Sequence, residues 1–474
     1  MKNQKSIIIY MLLLFCGLTA CKKALELNPI TEYADANFWK ETSQATAALN
    51  GAYTLLQAAM GPEGVFYGEA RADNVAQNLT SLNTESLNLL TNNVNPSLRI
   101  TSWSQLYAVV NQANLIIKNV RIMNQNGLYA NKTAEFNQTL GQAYALRALC
   151  YFNMTRIWGA LPLVTQPLKD ATENYLVERA DTEKVYSQIE LDLDSATLLL
   201  PNSYSPSQTT KALLTAGAVN AIYTDLYMWR HQYEKALTAS QKILTNTANY
   251  SLTSLTDATA LENTSYARQF THGFSTESIF EIDFNFAERG ARSFYIQVYG
   301  DIGFQPAFMA SIPLMTKFQP NDKRATISYN ERRDIIKFFD KTNFVRSTMD
   351  DKNIIMYRLS DILLLRAEAL NQLDRPAEAI AIVNQMKVRA GETALQPSDY
   401  SSLSKSQIED IILNERSKEL CFEGKRWFDL VRTKKAITVM QPINGLNNED
   451  NYVWPISLNE IRLNPLLKQN SYYQ

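Results

Sequence analysis

Cysteine and histidine are scarce: the 474-residue chain holds four Cys and two His. So few thiols and imidazoles argue against a disulfide scaffold and against a His/Cys metal centre. No charge of one sign dominates. Lys and Arg number 46, Asp and Glu 47, and the formal net charge is −1. That balance excludes a broad electrostatic nucleic-acid binder. The Walker A and Gly-x-Gly-x-x-Gly loops are missing, as is Gly-x-Ser-x-Gly, and neither His231 nor His272 sits in a triad context. No cofactor and no metal is therefore expected. No apolar run reaches the ~18–20 residues of a spanning helix. With 46% hydrophobic and 20% charged residues, the composition is globular, with length for about three units of ~150 residues.

The N-terminus reads as an address. Lys2 and Lys5 precede an apolar run from Ile7 to Leu18, and Leu18-Thr19-Ala20-Cys21 follows. The run is too short to span a bilayer and fits the h-region of a secretory signal. The tetrapeptide resembles a bacterial lipobox, whose cysteine is diacylated and becomes residue one after cleavage. Residues 1–20 are expected to be the signal peptide and 21–31 a lipidated tether, each buried CH₂ of the Cys21 acyl chains contributing ~0.8 kcal/mol of anchoring. Losing Lys2 and Lys5 takes the formal charge from −1 to −3. Cys150 and Cys421 remain in the body, each in an apolar helical pattern, and are expected as two separate buried thiols.

Apolar residues at helical spacing predict helices over Ser43 to Ala59 (capped by Ser43), Ser102 to Met123, Phe136 to Trp158 and Thr182 to Leu200. Two hairpins follow, Ala212 to Arg230 with Tyr233 to Thr245, and Ser360 to Leu373 with Pro376 to Arg389. The two look alike and resemble the tetratricopeptide hairpin. A last helical region runs from Lys405 to Arg432, interrupted near Gly424. The fold class is thus mainly α, a scaffold of tetratricopeptide-like hairpins with a loop-rich part containing a few short strands. Gly61 to Thr101 and Ser251 to Asn343 read as irregular, apart from a strand at Ile279 to Phe284. Long irregular stretches in a compact body are where binding residues concentrate.

Two carboxylate pairs could in principle hydrolyse a glycoside, Glu281 with Asp283 and Asp192 with Asp194. Solvated or ion-paired carboxylates are the commoner outcome in a chain with 47 acidic residues. Aromatic residues are the softer clue. Phe66 and Tyr67 precede Glu69, Arg71, Asp73 and Asn74, while Arg289, Arg292, Tyr295, Tyr299 and Phe304 are interleaved with glycines. Flat rings stack on sugars or peptide side chains, and neighbouring Arg, Asp and Asn supply directional hydrogen bonds. Tyr67, Arg71, Asp73, Asn74, Tyr295, Tyr299 and Phe304 are the expected ligand contacts.

Ordered motifs cover nearly the whole mature chain, from about Leu25 to Gln474. They include Asn37-Phe38-Trp39-Lys40, Ala145-Leu146-Arg147-Ala148 with Arg156-Ile157-Trp158-Gly159, and Thr210-Lys211-Ala212 at a helix start. Tyr357-Arg358-Leu359-Ser360-Asp361 leading to Arg366-Ala367-Glu368 follows, then Asn414-Glu415-Arg416 to Asp429-Leu430, and Trp454-Pro455-Ile456 to Asn470. Together they resemble the SusD/RagB family of outer-membrane nutrient-binding lipoproteins. The resemblance implies one helical body, with 32–250 as its N-terminal part and 251–474 as its C-terminal part. It implies a place on the outer surface of a Gram-negative outer membrane and a SusC-like TonB-dependent transporter as partner. It also implies capture of an oligosaccharide, or in some members a peptide, by a non-enzymatic lid, with no nucleic acid involved. Glu415, Glu419, Glu423, Arg416 and Arg426 share one apolar helical stretch, which predicts an internal salt-bridge network, with Arg366 and Glu368 joining it.

Overall fold

The computed structural model describes residues 38–78, 84–168, 176–284, 307–339 and 352–474. The first half runs α1 (Thr42–Met60), α2 (Pro62–Glu69), β1 (Val75–Gln77), α3 (Thr84–Leu90), α4 (Ser104–Gln125), α5 (Thr133–Trp158), β2 (Leu161–Pro162), β3 (Arg179–Ala180), α6 (Thr182–Leu199), α7 (Ser207–Ala212), α8 (Ala216–Trp229) and α9 (Tyr233–Leu244). The second half runs α10 (Ser265–His272), β4 (Ser278–Ile282), β5 (Phe308–Ala310), α11 (Ile312–Met315), α12 (Lys323–Ser328), β6 (Ile354–Arg358), α13 (Leu359–Gln372), α14 (Pro376–Ala390), α15 (Pro397–Tyr400), α16 (Lys405–Glu419), α17 (Arg426–Arg432), α18 (Ala436–Asn444) and α19 (Leu458–Leu463).

The helices stack mostly in chain order. α1 packs on α4, α4 on α5, α5 on α6, α6 on α8, α8 on α9, α9 on α13, and α13 on both α14 and α16. On α4 the buried stripe Leu106, Val109, Val110, Ala113, Ile116 and Ile117 is the one its spacing predicts. α5 is the axis: every side chain from Thr139 to Trp158 is buried. Gly141 lets α6 come close, since a Cβ there would sit 2.9 Å from Leu199 and Leu200 side-chain atoms. Gly159, at φ 77°, ends the helix. The buried apolar residues from Ala45 to Leu467 form one cluster that crosses residue 250.

The paired hairpins share one turn. His231 and Asp374 are left-handed, at φ 56° and 59°. Gln232 N donates to Tyr227 O at 2.7 Å and Arg375 N to Leu370 O at 2.9 Å, the same bridge back across five residues. Lys434 repeats it between α17 and α18, with Lys435 N donating to Leu430 O at 2.8 Å. The strands form three antiparallel pairs, β1–β5, β2–β3 and β4–β6. In the last, Ser278 stands opposite Arg358 and Ile282 opposite Ile354, with register shifts between.

Three expectations are corrected. Glu41, not Ser43, is the N-cap of α1, and the Gln44 side chain reaches back to its N–H at 3.0 Å. The helix expected from Ala212 is interrupted at Leu213–Thr215, where Thr215 caps α8. The stretches 61–101 and 251–343 are not wholly irregular, because Pro62 at the first turn starts α2 and α3 follows, while α10, β5, α11 and α12 lie in the second. Cys150 and Cys421 are buried and free, as expected.

Candidate ligand-binding site

Four expected contacts lie inside the body. Tyr67 is 3% exposed; its hydroxyl donates to Ile100 O at 2.9 Å, and its ring meets Trp158 and Trp454 edge-on. The Arg71 guanidinium lies 4.2 Å over Trp427 and donates to Asn92 Oδ1 and Asn451 O. Burial lowers its pKa to about 10. Asp73 accepts from Arg426 and Lys317, each at 2.7 Å. Burial would raise its pKa, but these two cations outweigh it and hold the carboxyl far below the usual range. Asn74 donates to Glu69 at 2.8 Å and accepts from Ser417 at 2.6 Å. The expectation of ligand contact at these four residues is thereby corrected: their side chains are buried, and their bonds inside the body fasten α2 and β1 to the rest of the chain. Glu69 completes the clamp by accepting from Phe422 N and Gly424 N, and burial raises its pKa to about 7 against those bonds. The backbones touch here, since a Cβ on Gly68 would fall 1.7 Å from Gly424 O.

The motif charges are scaffold as well. Arg358 reaches Glu277, Glu419 and Glu423, while Arg324 reaches Asp322, Glu415 and Glu419. Arg389 bridges Glu277 and Glu419, and Lys337 closes on Glu423. Burial would raise the pKa of Glu277, yet Arg389 and Arg358 outweigh it and bring it down to about 2. Beside this network Arg416 spans Asp361 and Asp429, and Arg432 ties Glu368 to Asp429. Arg366 stays outside and donates to Leu237 O and Ser240 Oγ, joining α13 to α9.

Neither carboxylate pair forms an open site. Glu281 is fully buried and accepts from Phe274 N, Asn353 Nδ2 and Ser278; burial raises its pKa despite these bonds. Asp192 is buried in a two-bond pair with Arg147, whereas Asp194 is exposed.

Tyr295, Tyr299 and Phe304 lie outside the described residues, as does Cys21. The chain leaves the described structure at Phe284 and returns at Ala307, then leaves at Phe339 and returns at Lys352. These stems are tied together. Phe284 N donates to Asn353 Oδ1 at 3.0 Å, and Lys352 Nζ donates to Thr271 O at 2.8 Å. Gln57 of α1 donates to Asp283 O, and Phe66 of α2 meets Phe308 of β5 edge-on at 5.2 Å. A recess of about 50 Å³ beside them is lined by Asn263, Thr271, His272 and Phe339. Gln57, His272 and Asn353 are base residues that the sequence did not single out, because single polar residues at stems carry no periodic signal.

Comparison with known proteins accords with this architecture. Residues 319–473 match the SusD family model, and residues 31–228 match one described as starch-binding associating with outer membrane. SusD-like protein P38 of Formosa agariphila is 31% identical, covering 100% of both chains. SusD-like protein P2 of the same organism is 28% identical over 95% of this chain and 94% of its own. Among solved structures, a SusD superfamily protein from Bacteroides thetaiotaomicron superposes with a TM-score of 0.74 at 23% identity, covering 92% of this chain and 99% of its own. B. fragilis NanU gives 0.75 at 22%, covering 94% and 100%. Full-length identity, two matched family models and a shared fold lead to one conclusion: the chain belongs to the SusD-like family of nutrient-binding proteins.

Proposed function

We propose that the protein is a lipid-anchored binding protein on the surface of a Gram-negative outer membrane, held by an acylated Cys21. It captures an oligosaccharide without chemical turnover and delivers it, as a lid, to a SusC-like TonB-dependent transporter. The observation that carries this reading is the division of labour in the body. The buried charged side chains of the motifs are consumed by the scaffold, while the two long aromatic-bearing stretches depart from tied stems beside α1, α2 and α10. Tyr295, Tyr299 and Phe304 are the proposed contacts. The lipobox-like Leu18-Thr19-Ala20-Cys21 supports the anchor, and no helix among the described residues is long and apolar enough to cross a membrane.

A glycan array probed with the body from Lys22 onward, with peptides alongside, tests it. A saturable oligosaccharide signal is the expected result. Binding of peptides alone would move the ligand to the peptide class. Turnover of a bound glycan would overturn the binding-only reading.

A further inference from the structure

The exposed Asp194, unlike its buried neighbour Asp192, stands at the edge of a second open feature. Helices α6, α8 and α9 enclose a groove of about 320 Å³, at the small end of the ~300–1,000 Å³ typical of small-molecule sites. Its floor is one face of α8, presenting Asn220, Tyr223 and Tyr227 at i, i+3 and i+7. Its walls include Asp194 of α6 and Lys235, Thr238 and Lys242 of α9.

The polar groups are held in place. Tyr223 and Tyr227 stack with centroids 5.3 Å apart at 19°. The Tyr223 hydroxyl donates to Asp194 Oδ1, which pins that carboxylate and leaves Oδ2 as an acceptor. Lys235 Nζ lies 5.1 Å from the Tyr227 ring centroid. Asn220 is 6% exposed; its Nδ2 donates to Ala216 O at 2.7 Å, while its Oδ1 has no partner among the described residues.

Charge and shape select the ligand class. Asp194 and Glu234 balance Lys235 and Lys242, so neither an anion nor a cation is favoured. Apart from the two rings and Ala239 the lining is polar, which gives an amphipathic helix no apolar seat. A neutral sugar ring satisfies what remains. Its C–H surface packs on the half-buried Tyr227 ring, and its hydroxyls donate to Asp194 Oδ2 and Asn220 Oδ1 and accept from the lysines. We propose that this groove is a second saccharide site that holds one neutral unit of an oligosaccharide apart from the loop-borne site. The inference rests on the glycan-binding reading above.

The test is calorimetric titration of the mature protein, residues 21–474, in a sugar-free detergent. The probes are neutral malto-, cello-, xylo- and manno-oligosaccharides of two to six units. Thr238→Trp plugs the groove from an exposed position, Tyr227→Ala removes its outer ring, and Tyr295→Ala weakens the loop-borne site. At least one oligosaccharide is expected to occupy two sites on the wild type. Thr238→Trp should remove one of them, and Tyr227→Ala should weaken the same one tenfold or more. Wild-type stoichiometry and affinity in both groove variants, each with an unchanged melting temperature, would overturn the groove while leaving the loop-borne site intact. No binding by any oligosaccharide would overturn both readings.

Discussion

Around α5 the interior is apolar, and its ion pairs are set singly. Arg147 meets Asp192, and Arg156 meets Asp225, each guanidinium with one carboxylate. Around β6 and α16 the interior holds a connected charge network: Arg358 alone touches three carboxylates, and Glu419 touches three arginines. The difference teaches how to read the motifs. A lone pair sits in a surround that apolar packing already stabilises, whereas most members of the network neutralise two or three others. Residue patterns that stand out along the chain can therefore mark mutual neutralisation of buried charge, with no ligand involved.

The comparison breaks most visibly at Arg358. Arg358→Met removes three ion pairs at once, from Glu277, Glu419 and Glu423, each of which keeps another cation, and a loss at or above the ~3–5 kcal/mol typical of breaking a buried pair is expected by urea unfolding. Arg147→Met strands only Asp192 and should cost less. Equal losses would mean that the network adds nothing beyond its pairs.

Acid should act on the charged region first. The Glu277 pKa falls from 4.5 to about 2 on folding, so its stabilisation is complete above pH ~4.5 and is lost as pH falls toward ~2. Its share is about 3 kcal/mol at ~1.4 kcal/mol per pKa unit. Melting temperature against pH should drop steeply over that window. In Glu277→Gln the drop should be shallower, and an unchanged slope would remove Glu277 from the linkage.

Two tyrosines sharpen the contrast between scaffold and ligand site. Tyr67→Phe loses one buried hydrogen bond, worth ~1 kcal/mol of stability, and should leave glycan affinity unchanged. Tyr295→Ala should do the reverse, with melting intact and affinity reduced about tenfold, in line with the ~1–3 kcal/mol seen for aromatic stacking on ligands. The smallest effect is expected at the shared hairpin turn. His231→Gly relieves a left-handed residue but loosens the unfolded chain, for a net change under ~1 kcal/mol by thermal melting.

Helix positions were legible because burial of one face writes a 3.6-residue period into the sequence. Thus α4, α5, α6, α9, α13 and α14 fall within three residues of their predicted ends. The short α2 and α3 were not, because seven or eight residues are too few to show a period. The break at Leu213–Thr215 has neither Gly nor Pro to announce it. The site was harder. Asp192 and Asp194 are two residues apart, hence about 200° around the helix, and one is buried while the other faces the α8 groove. Tyr67, Arg71, Asp73 and Asn74 have the composition of a binding loop, but Tyr67 bonds to Ile100 and the other three draw partners from residues near 420 and 451, distances no local pattern encodes. Tyr223 is core at 6% exposed while Tyr227, one turn on, is half-buried at the groove, a difference the sequence does not announce.

The clamp of α2 against the Phe422–Lys425 turn sets an order of events. Arg71 reaches Asn451, 380 residues away, and Gly68 accepts only the backbone at Gly424. Almost the entire polypeptide must be made before the segment from Gly68 to Arg71 can lock. The segment around Gly68 therefore emerges early in synthesis and latches late, so the first turns to be made are among the last to find their partners.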